Sequence, residues 1–99
     1  MALNESRSWL IAYDIADPRR LARVHRYLKG EAVPVQYSIF AAATSANGIR
    51  RVRDELAKRI DPRRDDVRIY LLPRSLDISH LGQPSLPEGL LLPNLAPLA

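Results

Sequence analysis

Asp14 is the one charged residue in an otherwise apolar run, Trp-Leu-Ile-Ala-Tyr-Asp-Ile at 9–15. A carboxylate there has two uses. It can ligate a hard divalent cation, which takes oxygen donors and keeps several of its waters, or it can cap a turn where the run ends. The residues alone favour the cap, because the nearby chain offers little to complete a ligand set. Asp17 has the same two options, and its place directly before Pro18 favours a helix N-cap. Arg19, Arg20, Arg23 and Arg26 follow closely. Guanidinium groups fork onto phosphate oxygens, so these four read either as a ridge for a nucleic-acid backbone or as a solvated helix face.

Other chemistries are thinly supplied. The chain has no cysteine, which removes disulfides, thiolate metal sites and thiol nucleophiles together. It fits a reducing compartment, and a cytoplasmic protein is expected. Residues 1–8 carry no apolar signal core, and no apolar run approaches the roughly 18 residues of a membrane span. Ser38 has no histidine beside it to make it a nucleophile. His25 and His80 stand far apart and are expected as packing or surface residues. Trp9 and Phe40 are expected in the core or at an interface, and Tyr13, on the strand face opposite Asp14, in the core.

The elements that must position these residues follow from periodicity. Residues 9–15 alternate as a strand with Trp9, Ile11, Tyr13 and Ile15 on one face. Asp17-Pro18 opens a helix whose apolar stripe is Leu21, Val24 and Leu28, with Gly30 expected as its stop. Residues 33–43 are extended in type, and Pro34 marks a strand beginning or an edge. The pattern does not distinguish one bent strand from two short ones. A second helix is expected from about Ser45 to Ile60, with Ile49, Val52, Leu56 and Ile60 on its buried stripe, ended by Asp61-Pro62. Val67–Leu72 is a further strand. Residues 75–99 hold four prolines and almost no charge. They are expected as a tail with short extended pieces near Leu76–Leu81 and Gly89–Leu92, too apolar to remain a free linker.

The 99 residues, 46% of them apolar, make one domain, with a core over about 8–74 and the tail beyond. A chain of this length buries roughly two-thirds of its unfolded surface. The order of elements gives an α+β sandwich with two helices on one sheet face. Two helices cannot cover both faces, and an apolar second face predicts a homodimer. Residues 1–74 carry all 15 basic residues and nine of the 11 acidic ones, whereas 75–99 carry only Asp77 and Glu88. A basic, arginine-dominated body suits a phosphate partner.

Four segments in order carry a resemblance: Tyr-Asp-Ile-Ala-Asp at 13–17, Arg-Arg-Leu-Ala-Arg-Val at 19–24, Val-Gln-Tyr-Ser-Ile-Phe at 35–40 and Asp-Val-Arg-Ile-Tyr at 66–70. Over roughly residues 8–92 the chain resembles the CRISPR-associated protein 2 family. The resemblance implies a ferredoxin-like βαββαβ fold with extra C-terminal extended segments, dimerised through the sheet faces, the tail strand joining the partner's sheet. It implies a role in capturing new CRISPR spacers as a bridge between copies of the integrase, CRISPR-associated protein 1. It also implies a metal-dependent endonuclease activity on RNA or double-stranded DNA, using Mg2+ or Mn2+, with Asp14 as catalytic residue and metal ligand. In a two-fold dimer the symmetry mate of Asp14 would stand opposite, and one ion could sit between the two carboxylates. Arg19, Arg20, Arg23 and Arg26 are the expected nucleic-acid contacts.

Two other readings remain. A non-catalytic ferredoxin-like RNA-binding module would show exposed aromatics on a central strand, and the chain has no such motif. A small-molecule regulatory domain would not need the arginine-rich body.

Overall fold

Strand β1 (Arg7–Asp14) decides the layering through its alternation. Ile11 and Tyr13 are buried and Trp9 packs against the same core, while Leu10, Ala12 and Asp14 take the other face. The computed structural model describes residues 4–83, so the extended piece expected at Gly89–Leu92 lies outside them. After β1 come α1 (Pro18–Glu31), β2 (Val33–Gln36), β3 (Ile39–Thr44), α2 (Ala46–Ala57) and β4 (Asp66–Leu71). One sheet holds the four strands in the order β2-β3-β1-β4, with every neighbouring pair antiparallel. The stretch at 33–43 is therefore two strands, joined through Tyr37 and Ser38. Pro34 lies on the edge strand β2, where its missing N–H leaves no gap inside the sheet.

Both helices lie on one face. Ile11, Tyr13, Ile15, Phe40 and Ala42 meet Val24 and Leu28 of α1 and Ile49, Val52 and Leu56 of α2 in a single cluster. Burying each of the larger side chains stabilises by about 1.5–3 kcal/mol, so the cluster is the main source of cohesion. The indole N–H of Trp9 donates to the Thr44 carbonyl at 2.9 Å, which lets a polar ring edge stay in the packed layer. On the helix-free face the register sets Leu10 against Ala41 and Tyr70, and Ala12 against Ile39. That second face is apolar around Leu10, Ala12, Ile39 and Ala41, with Arg68 opposite Ala12 and the charged pair Asp14 and Asp66 at one end.

The ends of the helices show which local signals operate. The Asp17 carboxylate accepts from the backbone N–H groups of Arg19 and Arg20, each at 3.0 Å, with Pro18 at the first helical position. Gly30, however, does not stop α1. The helix continues to Glu31, and Ala32 leaves it in extended conformation, φ −147°, directly into β2. A strand that starts at once needs no left-handed residue. Ser45 caps α2 by accepting from the Gly48 N–H at 3.0 Å. This helix ends at Ala57, three residues short of Ile60, yet Ile60 still packs on the core.

Beyond β4, the Leu72 N–H donates to the Ser8 carbonyl at 3.0 Å. The piece expected at Leu76–Leu81 pairs with no strand of this chain among the described residues. None of the described helices is long and apolar enough to cross a membrane.

The two helical glycines differ in surroundings. A Cβ on Gly48 would overlap the Thr44 hydroxyl and stand 3.1 Å from the Thr44 Cβ, whereas a Cβ on Gly30 would meet nothing within 4 Å. Gly48→Ala is expected to destabilise the fold by about 1–3 kcal/mol through overpacking. Gly30→Ala is expected to be neutral or stabilising by up to about 1 kcal/mol. Urea unfolding of both variants checks the contrast.

Candidate metal centre and nucleic-acid interface

The ladder between β1 and β4 places Asp14 directly opposite Asp66. Both side chains are exposed, at the rim of the helix-free face. Opposed like charges in adjacent strands destabilise a sheet unless a counter-charge intervenes. Asp66 has one, because its Oδ2 accepts from the Arg68 Nε at 3.0 Å. Asp14 makes no side-chain hydrogen bond or ion pair among the described residues, so the turn-cap role open to it in the sequence is not the one it plays. Its oxygens are available to a ligand.

What holds these carboxylates in place is a third, Asp65. Its side chain has no exposure to solvent. Asp65 Oδ2 accepts from the Arg20 Nε at 2.7 Å and from the Asp61 N–H at 2.8 Å; Oδ1 accepts from the Ala16 N–H at 2.9 Å and from the Arg20 Nη2 at 3.1 Å. The loop after β1, the first turn of α1 and the loop before β4 thus converge on one carboxylate. The Arg20 guanidinium holds Asp65 far below the usual carboxylate range, against the opposing effect of burial, with the Asp61 and Ala16 N–H groups assisting.

This divides the arginines. Arg20 has its fork filled by Asp65. Arg19, Arg23 and Arg26 are exposed and, among the described residues, form no ion pair. Their spacing of i, i+4 and i+7 lines them along one face of α1. Asp17 is spent as the N-cap, and the N–H groups of Arg20 and Arg19 hold its carboxyl below the usual range.

The aromatics do not form a base-stacking platform on the sheet. Trp9, Tyr13 and Phe40, on the two central strands, all belong to the helix-covered side. Phe40 is 1% exposed, and the Tyr13 ring lies 6.2 Å from it. Burial raises the Tyr13 hydroxyl pKa, with Tyr37 nearby adding to it. His25, expected as a packing or surface residue, is exposed and meets Phe40 edge-on at 5.5 Å, sharing a 3.2 Å hydrogen bond between its Nδ1 and the Tyr13 hydroxyl. Ser38 and His25 line the same cleft, with no hydrogen bond between them among the described residues.

No group of three or more acidic, histidine or cysteine side chains close enough to hold a metal ion occurs among the described residues. The donors at the rim are two exposed carboxylates, one of them engaged by Arg68. Such a set fits Mg2+ or Mn2+ only with waters, a substrate oxygen or a second subunit completing the shell, and it lacks the nitrogen and sulfur ligands of a structural zinc site.

The family model described as CRISPR associated protein Cas2 matches residues 7–76. The chain belongs to that family. A CRISPR-associated endoribonuclease Cas2 of Nitrosomonas europaea is 43% identical over 82 residues, spanning 83% of this chain and 78% of its own length. One from Thermodesulfovibrio yellowstonii is 40% identical over 74 residues, spanning 75% and 81%. Among solved structures, hypothetical protein TT1823 from Thermus thermophilus superposes with a TM-score of 0.74 at 29% identity, covering 84% of this chain and 99% of the other. Streptococcus pyogenes Cas2 superposes with a TM-score of 0.62 at 26% identity, covering 68% and 87%. The Cas2 match contains Asp14, Arg19, Arg20, Arg23, Arg26, Asp65 and Asp66.

Sequence reasoning did not single out Asp65 or Asp66. The signal available was an adjacent acidic pair directly before a strand, and only the strand register shows that the second of them faces Asp14.

The Asp65 shift has a testable sign. Its folded pKa lies below the unfolded value of about 3.9, so its contribution is fully present above that value and is lost as pH falls from there towards the folded pKa. Thermal melts between pH 7 and pH 2.5 are expected to show a marked loss of stability on the acid side. Asp65→Asn, less stable at neutral pH, is expected to show a flatter acid limb.

Proposed function

We propose that this Cas2-family chain works as a homodimer in CRISPR adaptation, binding nucleic acid through α1 and bridging the integrase, with a metal-dependent endonuclease centre at Asp14. The observation that carries the reading is Asp14 itself: an exposed carboxylate at the strand end, unpaired among the described residues, on the rim of the helix-free sheet face. The strand order and the βαββαβ sequence of elements support a ferredoxin-like topology. Leu10, Ala12, Ile39, Ala41 and Tyr70 give the helix-free face the composition of a surface that a second copy would cover. Residues 75–99 are the segment proposed to add its short strands to the partner's sheet.

In such a dimer the two Asp14 carboxylates face one another across the dyad. Together they would hold Mg2+ or Mn2+, with water and a substrate phosphate completing the shell. When bound, the ion would polarise a phosphodiester and lower the pKa of a water. The chain's own residues do the positioning. Asp65 fixes the two segments that carry Asp14 and Asp66, and Arg19, Arg23 and Arg26 hold phosphates through forked hydrogen bonds. Arg20 contributes its charge to the ridge while its fork stays on Asp65. RNA, the substrate of the endoribonucleases this chain is similar to, is one candidate substrate, and double-stranded DNA is the other. Relatives named as endoribonucleases favour this reading over a non-catalytic RNA-binding module, as does the absence of exposed aromatics on the central strands.

Asp14→Ala is expected to reduce metal-dependent cleavage to background while leaving nucleic-acid binding and the dimer, measured by light scattering, intact. Cleavage that survives in the highly purified variant, or in excess chelator, would show the assigned centre to be wrong. Replacing Arg23 and Arg26 together with Ala is expected to weaken binding and to reduce the slope of log K against log salt by about 1.4–1.8. Titrations from 50 to 300 mM salt test this. An unchanged slope would remove α1 from the interface.

A further inference from the structure

Helix α1 has a second exposed stripe beside its arginines. Pro18, Ala22, His25 and Lys29 follow one another at i, i+4, i+7 and i+11. The first three line a cleft of about 320 Å3 whose opposite wall is Gln36, Tyr37 and Ser38, with Tyr13 and Leu21 completing it. That volume lies at the small end of ligand clefts. It suits one flat ring system and is too small for a helix or a strand.

Tyr37 is the unusual member. It is 90% exposed. The other aromatics near α1 are engaged: Tyr13 and Phe40 stack in the core, and the Tyr27 ring lies 4.4 Å from the Arg59 guanidinium. Tyr37 has no aromatic or cationic partner among the described residues. The turn backbone that presents it is nonetheless held. Ser38, beside it, has a φ of 64°, a left-handed backbone that a non-glycine residue adopts at a cost of roughly 1–2 kcal/mol. The Ser38 carbonyl is held by the Tyr13 N–H at 3.1 Å. His25 is also held, through Phe40 and the Tyr13 hydroxyl, and its Nδ1 is occupied. Its other ring nitrogen remains for a ligand.

The chemistry of the lining narrows the occupant. It contains no acid, so a cation is disfavoured. It combines a free aromatic face with the amide of Gln36, the hydroxyl of Ser38 and an imidazole. Lys29 extends the cleft stripe, and Arg26, Arg19 and Arg23 lie next to it on the helix. We propose that the cleft accepts a single unpaired nucleobase, stacked on Tyr37 with its edge towards Gln36, Ser38 and His25, while the arginine stripe holds the flanking phosphates. This inference rests on the nucleic-acid reading above and deepens it by naming the strand: a paired base keeps its faces inside the duplex stack and cannot enter. Stacking of this kind tolerates any base, so the cleft selects for single-stranded character more than for sequence. Tyr13 in its lining is followed in the chain by Asp14, so a strand anchored there lies at the Asp14 end of β1.

The test uses the full chain and two fluorescently labelled strands of about ten nucleotides, one of RNA and one of the same length made entirely of abasic sites, at fixed salt. Wild type is expected to bind the base-bearing strand about tenfold or more tighter, in line with the stacking energy of a single base. Tyr37→Ala is expected to abolish that preference while leaving abasic binding and the melting temperature unchanged. Tyr37→Phe, which keeps the ring face, is expected to retain it. Arg23→Ala is expected to weaken both strands equally. Equal binding of the two strands by wild type, or an undiminished preference in Tyr37→Ala, would overturn the base cleft while leaving backbone binding in place. Failure to bind either strand would instead overturn the nucleic-acid reading on which the cleft depends.

Discussion

One buried carboxylate organises the working end of this fold. Asp65 receives two N–H groups and both prongs of Arg20; the Asp61 N–H comes from its own loop, while Ala16 and Arg20 come from the distant segment between β1 and the first turn of α1. A desolvated carboxylate is costly unless fully satisfied, and removing one partner of such a set leaves a charge with nowhere to go. The arrangement therefore tolerates little displacement. Ala16 lies two residues past Asp14, and Asp65 lies one before Asp66. The same set of bonds that compensates Asp65 fixes where β1 ends and where β4 begins, and so fixes the separation of the two exposed acids at the rim.

Those acids then present an electrostatic problem that the single chain only half solves. Asp66 has Arg68, but Asp14 has no cationic neighbour bound to it among the described residues. An exposed aspartate is no burden in water. It becomes one when an apolar face beside it is covered, because the covering surface strips solvent from the rim and, in a two-fold dimer, brings up an identical charge. Two carboxylates in a desolvated site favour either a shared proton or a shared cation. In the proposed dimer the apolar face and the free carboxylate would thus be linked: the subunit that covers the first would supply the reason for the second to bind an ion.

Local chemistry was largely legible in the sequence, and long-range pairing was not. Alternation in 9–15 and helical spacing at Leu21, Val24 and Leu28 fixed the layers, and Asp17-Pro18 announced the start of α1. Gly30 misled because its backbone freedom was available but unused, the chain passing through Ala32 straight into an extended strand. The hairpin at Tyr37–Ser38 was hidden because it has none of the glycine or asparagine that two-residue turns favour, so 33–43 could not be divided by pattern. The four arginines looked equivalent, and Arg20 differs from the rest only because its partner sits 45 residues away. Asp66 became visible as the neighbour of Asp14 only through strand register, which a one-residue slip would reverse.

The sheet also separates two kinds of work. The acids lie at the rim of the helix-free face, where a second subunit would meet the first. The arginines lie on α1, behind the other face, and remain accessible when that meeting takes place. A nucleic acid that touches both must pass around the end of the sheet, at the segment between Asp14 and Pro18. That segment is short, is closed by the Asp17 cap and is tied through Ala16 to Asp65. It offers no flexible loop to reach out and follow a substrate. Under the proposed function, positioning a phosphodiester near Asp14 would therefore come from how the strand is gripped along α1, which would make the helix surface, more than the carboxylates, the part of the molecule that determines what is presented for reaction.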